Sequence, residues 1–162
     1  MGRKSLTIQY DEQPSLSECS AALRSLMDEA IVARSNAYAP YSEFSVGAAL
    51  RLEDGTIVHG NNQENAAYPS GLCAERVAVF HTGAVHPDAI ITDMAITASD
   101  AADTLTTPVP PCGACRQSLL EYEQRQGSPI QLHLMGASGP VVTFHSVADT
   151  LPWGFDSQYL PR

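Results

Sequence analysis

Two segments carry residue types whose spacing can do chemistry: Cys73-Ala74-Glu75-Arg76 and Pro111-Cys112-Gly113-Ala114-Cys115-Arg116. Each stands where a loop gives way to a helical pattern, one over Cys73 to about Thr82 and one over Cys112 to about Gln126, closed by Gly127. At a helix start the first backbone N–H groups lack partners and the dipole is positive. That environment lowers thiol pKa, and the thiolate is the form that binds metal. Cys112 and Cys115 lie one turn apart, so both sulfurs can face one ion, and Cys73 brings a third from another helix. Three protein ligands leave one tetrahedral position of zinc open for water, whereas four close the site. Cys19 lies outside both segments, and none of the five histidines has a ligand-like offset from them. The expectation is therefore an open, catalytic zinc site. Two other readings stand beside it: a Cys-x-x-Cys redox pair, which has no need of Cys73-Ala74-Glu75, and a closed structural zinc drawing on Cys19 or a histidine.

Glu75 falls in the first turn of its helix, near the metal without having to ligate it. A carboxylate there satisfies the helix dipole, and it is also placed to carry a proton for a water activated at the metal. Three thiolates around Zn²⁺ sum to about one negative charge, and an ionised Glu75 adds to it. The two helix starts offset part of that charge. Arg76 and Arg116 are the candidate cations, and Arg116 is read as a surface charge paired with a carboxylate.

The elements that must hold these residues follow from periodicity. Apolar residues recur at helical spacing from Ser17 to about Ala37, where Pro40 ends the pattern. Phe44–Leu52 and Thr56–Gly60 read as strands joined at an Asp54-Gly55 turn. Asn61–Leu72 is a polar loop, Ala89–Ala98 a buried strand, and Ser99–Pro111 a loop. Ile130–Met135 and Val141–His145 are the last strands, followed by an irregular aromatic tail. Ser5–Tyr10 is either a short edge strand or a loose tail. Helices interleaved with strands imply an α/β domain with a mixed sheet.

The chain has 162 residues, 44% of them hydrophobic, and a net charge of −9. This composition fits one domain with a real core, and the acidic surface disfavours nucleic acid as a partner. No stretch is apolar enough for a membrane span, and Met1–Tyr10 lacks the features of a signal peptide. Leu6 stands where a myristoylation motif wants Ser or Thr. A cytoplasmic location is expected.

Beyond the metal segments, Asn62-Gln63-Glu64-Asn65-Ala66-Ala67-Tyr68 matches an Asn-x-Glu-Asn-Ala segment, and Tyr38-Ala39-Pro40-Tyr41-Ser42-x-Phe44 leads into Val46-Gly47-Ala48-Ala49. With these, the chain resembles the small, homotetrameric cytidine deaminases with three cysteine ligands, over about Ala37 to Phe155. The resemblance implies a three-layer α/β/α fold with a mixed, about five-stranded sheet, as a single domain over 1–162 with an extension at 1–16 and a tail at 156–162. It implies zinc-dependent hydrolytic deamination of cytidine and deoxycytidine to uridine and deoxyuridine, a step of pyrimidine salvage. One zinc per subunit is held by Cys73, Cys112 and Cys115, Glu75 is the proton shuttle, and Arg76 bonds the ligand sulfurs. Asn62 and Glu64 bond the sugar 3′-hydroxyl. Phe44 packs on the pyrimidine and Ala74 contacts the substrate. Ala66, Tyr68 and Phe155 reach a neighbouring subunit's substrate, so that sites are shared across the tetramer. The residues support the sugar assignment separately, because a buried hydroxyl needs a donor and an acceptor and Asn62 with Glu64 offers both. Rival readings are a deaminase of another small cytosine compound, such as an aminoacyl-nucleoside antibiotic, and a non-catalytic zinc-stabilised binding module.

Overall fold

A serine decides where the first helix begins. The Ser20 hydroxyl accepts the Leu23 N–H at 3.2 Å, and helix α1 runs from Ala21 to Arg34. The expected start at Ser17 is four residues early, because Leu16–Glu18 closes instead as a 3-10 turn with Cys19 N–H bonded to Leu16 O. The computed structural model describes residues 2–160. Strand β1 (Asp11–Gln13) precedes α1, and strands β2 (Ser45–Leu52) and β3 (Ile57–Asn61) follow it. Then come helix α2 (Ala74–Val85), strand β4 (Ile91–Ser99), helix α3 (Gly113–Gln126), and strands β5 (Gln131–Met135) and β6 (Val141–Phe144). The tail is not wholly irregular, since Val147–Thr150 and Ser157–Tyr159 form 3-10 turns. Gly127 closes α3 at φ 69°, a left-handed conformation open to glycine.

The sheet has six strands in the order β1-β6-β5-β4-β2-β3, one more than expected. Only β4 and β5 pair in parallel, joined through α3, and the remaining pairs are antiparallel. The extra strand is β1, which pairs Asp11 with Thr143, Glu12 with Val142 and Gln13 with Val141. Its three exposed polar residues have poor strand propensity and no apolar alternation, so it forms because the open edge of β6 offers it hydrogen bonds. It lies just past the Ser5–Tyr10 segment.

Alternation along β2 and β4 divides the core into two. Ala48, Leu50, Leu52, Met94 and Ile96 pack with Ala78 and Val79 of α2 and Leu119 of α3. On the opposite face Ala49 and Ala95 pack with Leu26, Met27 and Ala30 of α1. The result is three layers, α/β/α, as expected. At Gly60 of β3 an added Cβ would lie 2.3 Å from Ala74 O, so the missing side chain lets the start of α2 sit close against the sheet. No helix among the described residues is long and apolar enough to cross a membrane.

Candidate metal centre and substrate cleft

Cys73 and Cys112 are the N-cap residues of α2 and α3, each with extended backbone, and Cys115 is buried in the first turn of α3. The three sulfurs lie within 4.8 Å of one another, with Cys73 Sγ 3.9 Å and Cys115 Sγ 3.4 Å from Cys112 Sγ. Thiolates bonded at about 2.3 Å to one tetrahedral zinc stand about 3.8 Å apart, so this donor set fits that ion. Among the described residues this is the one group of metal-binding side chains. Cys19 is buried in the α1-side core, and His59, His133 and His145 bond Glu29, Asp93 and Asp11. A closed four-ligand site finds no fourth ligand among the described residues, and a bare redox pair does not account for Cys73.

The electrostatics single out Cys73 as the acidic thiol of the cluster. The Cys73 thiol is pulled down to about 5, first by hydrogen bonding from Cys115, against burial, and further by Arg76 and Cys112. The Cys115 thiol is pushed up by its bond to Cys73 and by burial. Arg76 Nη2 donates to Cys73 Sγ at 3.7 Å, and its Nε is buried with no partner. Glu75 is 4% exposed, and burial raises its pKa, with the Cys73 charge adding to the shift.

The loops beside the cluster are strapped to it by backbone bonds. Gln63 and Leu72 exchange both N–H···O bonds at 2.9 Å, which ties the Asn62–Asn65 stretch to the residue before Cys73. Tyr38 N–H donates to Asn62 O, and Glu64 N–H donates to Tyr38 O. Asn62 Oδ1 accepts from Val46 N–H at 2.8 Å while its Nδ2 donates to Phe44 O at 2.8 Å. The Glu64 carboxylate accepts from the Ser42 hydroxyl and from the N–H groups of Tyr41 and Ser42. The Ser42 and Tyr41 bonds hold its pKa below the usual carboxylate range. Together these segments wall an open cleft of about 490 Å³ lined by Tyr41, Asn62, Glu64, Tyr68, Cys73 and Arg76, among others. The cysteine cluster thus meets an open cleft through Cys73 and Arg76.

Residues 20–127 match the cytidine and deoxycytidylate deaminase zinc-binding region. The chain belongs to the cytidine deaminase family. It is 47% identical to the cytidine deaminase of Halalkalibacterium halodurans over 133 residues, 82% of this chain and 93% of that one. It is 43% identical to the Sporosarcina psychrophila cytidine deaminase, over 83% and 92% of the two chains. The crystal structure of Burkholderia pseudomallei cytidine deaminase superposes with a TM-score of 0.70 at 37% identity, covering 81% of this chain and 97% of that one.

As a zinc-binding member of the cytidine deaminase family, the chain brings Cys73, Cys112, Cys115, Arg76, Asn62, Glu64 and Tyr68 to one region of the fold. Ala74 is fully buried behind the metal turn. Phe44 is half-buried, Ala66 is exposed, and neither lines the cleft. Phe155 is exposed, stacks on Tyr159 at 5.7 Å, and stands outside the lining of its own chain's cleft. The expectation for Arg116 is corrected. Among the described residues it meets no carboxylate: Nε donates to Pro111 O at 2.7 Å and Nη1 to Thr150 O at 2.9 Å. The loop-holding role of Ser42 toward Glu64 was also not anticipated. Its only signal in the sequence is its place within the Tyr38–Phe44 segment.

Proposed function

We propose that this enzyme of the cytidine deaminase family hydrolyses both cytidine and deoxycytidine, giving uridine or deoxyuridine and ammonia. The observation that carries the reading is the convergence of three sulfurs beside buried Glu75, next to a cleft walled by Asn62 and Glu64. Zinc held by Cys73, Cys112 and Cys115 supplies a Lewis acid that brings the pKa of water toward about 7. Glu75 takes one proton from the attacking water and delivers it to N3 of the cytosine ring; it then takes the second from the hydroxyl now on C4 and passes it to the amino group, which leaves as ammonia as the C4 carbonyl forms. Its burial supports this role, because a carboxyl in that setting holds a proton more readily than one in water. Arg76 offsets the thiolate charge. Asn62 and Glu64 bond the sugar 3′-hydroxyl with the capacity left after they brace the Tyr41–Val46 stretch. Glu64, ionised and accepting three bonds, has about one further acceptor site.

Phe44 packs on the base and Ala74 lies against the substrate, while Phe155, Ala66 and Tyr68 serve the site of a neighbouring copy in a homotetramer. The exposure of Tyr68 at 74% and Trp153 at 93% supports a surface that meets another chain. The role is pyrimidine salvage in the cytoplasm. The test is turnover of cytidine and deoxycytidine, followed by the ultraviolet change at C4, before and after zinc removal and readdition. Activity lost with zinc and restored by it is expected. No ammonia from either nucleoside, or turnover indifferent to zinc, would overturn the proposal.

A further inference from the structure

One stripe of α3 is given over to the chain's C-terminal segment. Arg116 bonds Thr150 O, and Gln117 Nε2 donates to Phe155 O at 2.8 Å. Leu120 Cδ2 lies where a Cβ on Gly154 would fall, 2.5 Å away. The Glu123 carboxylate accepts from the Ser146 hydroxyl and from Val147 and Ala148 N–H, and Gln124 Nε2 reaches Asp156 Oδ2 at 3.3 Å. Positions 116, 117, 120, 123 and 124 share one helical face. That face begins directly after Cys115, and Arg116 also bonds Pro111 O on the other side of Cys112. The segment it grips turns sharply, with Trp153 at φ 61°, a conformation that costs energy for a bulky residue and persists only where its surroundings hold it. Phe155 thus hangs from the helix that carries two of the three metal ligands.

We infer that Gln117 is a positioning residue: it ties the Phe155 backbone to the metal-bearing helix, while Arg116 holds the start of the same segment at Thr150, and so sets where the Phe155 ring stands for the neighbouring copy's substrate. This rests on the proposed contact between Phe155 and that substrate. One neutral hydrogen bond contributes about 1 kcal/mol, roughly a fivefold change in an equilibrium.

The test compares full-length Gln117→Ala, Phe155→Ala and the double variant in steady-state cytidine kinetics. Trp153 is the chain's single tryptophan, two residues from Phe155, so its acrylamide quenching reports the segment's order. Gln117→Ala should raise KM about three- to tenfold, leave kcat and zinc content unchanged, alter Trp153 quenching, and add nothing to the KM of Phe155→Ala. If Phe155→Ala leaves KM unchanged, the Phe155 contact falls and the inference with it. If Phe155→Ala raises KM but Gln117→Ala does not, or the two effects multiply, the contact stands and the positioning role is overturned. Loss of zinc or kcat in Gln117→Ala would also overturn it, by showing a structural role at the metal turn instead.

Discussion

Arg76 Nη2 stands 3.7 Å from the sulfur of Cys73, one helical turn back along α2, and faces the cleft. A cation so placed favours the thiolate and answers the excess negative charge of a three-sulfur site. Groups that orient and neutralise metal ligands typically matter by about 10- to 100-fold in affinity or activity. Arg76→Ala should therefore keep the fold while zinc affinity or kcat falls by about that much. Arg76→Lys should recover part of the loss, since it restores the charge but not the planar fork. Zinc content and kcat measured on both variants check this. Wild-type values in Arg76→Ala would remove the charge-offset argument.

Glu75→Gln keeps the size of the side chain and removes its ability to carry a proton. Zinc should stay at one per chain while turnover drops by at least about 10²-fold, the usual contribution of a general acid–base group. Thermal stability should hold or rise, because a neutral amide at a site only 4% exposed avoids burying a charge. Deamination at the wild-type rate would rule out Glu75 as the shuttle.

Gly60→Ala tests the close seating of α2 on β3. The new methyl would meet Ala74 O at 2.3 Å and Ala78 N at 2.6 Å, both backbone atoms that move only with the helix. Such overpacking costs about 1–3 kcal/mol. Because the clash falls on the first turn of α2, next to Cys73 and Glu75, the midpoint of unfolding and the zinc affinity should fall together. A lowered midpoint with full zinc affinity would show that the metal turn does not depend on this contact.

Asp93 lies on the α1 face of the sheet, where His133 Nε2 is 3.3 Å from its carboxylate and His133 Nδ1 is 2.9 Å from the Thr143 hydroxyl. Burial pushes the Asp93 pKa up, but the His133 and Thr92 bonds and the charges of His133 and Arg51 outweigh it, so the net shift is downward. A carboxyl with a depressed folded-state pKa contributes stability that is present above its unfolded value of about 3.9 and is lost as pH falls through the folded value. Asp93→Asn should be less stable than wild type at pH 7, with the gap closing below about pH 4. Urea unfolding of both proteins from pH 7 to pH 3 measures it. The pH dependence of metal binding is common to the two and cancels in the difference. A gap that does not change with pH would show that the ionised form of Asp93 is not what stabilises the sheet there.

The sequence by itself determined what is local. Thiols at two helix starts, the Asp54-Gly55 turn, the left-handed closure at Gly127 and the alternation along β2 each depend on neighbours within a turn or a few residues. The metal donors and the α/β class with its mixed sheet were legible for that reason; the three-layer order came from the family resemblance. Tertiary structure alone decided the pairings across long separations. It brought Cys73 within 3.9 Å of Cys112, 39 residues on, and joined Arg116 to Thr150 O, 34 residues away. It made Asp11–Gln13 a strand against an edge whose location no local pattern encodes. It also gave Asn62 and Glu64 their partners in the Phe44–Val46 and Tyr41–Ser42 backbone. A polar side chain shows in the sequence which bonds it can make. Which groups come within reach of it is settled only when the chain has packed.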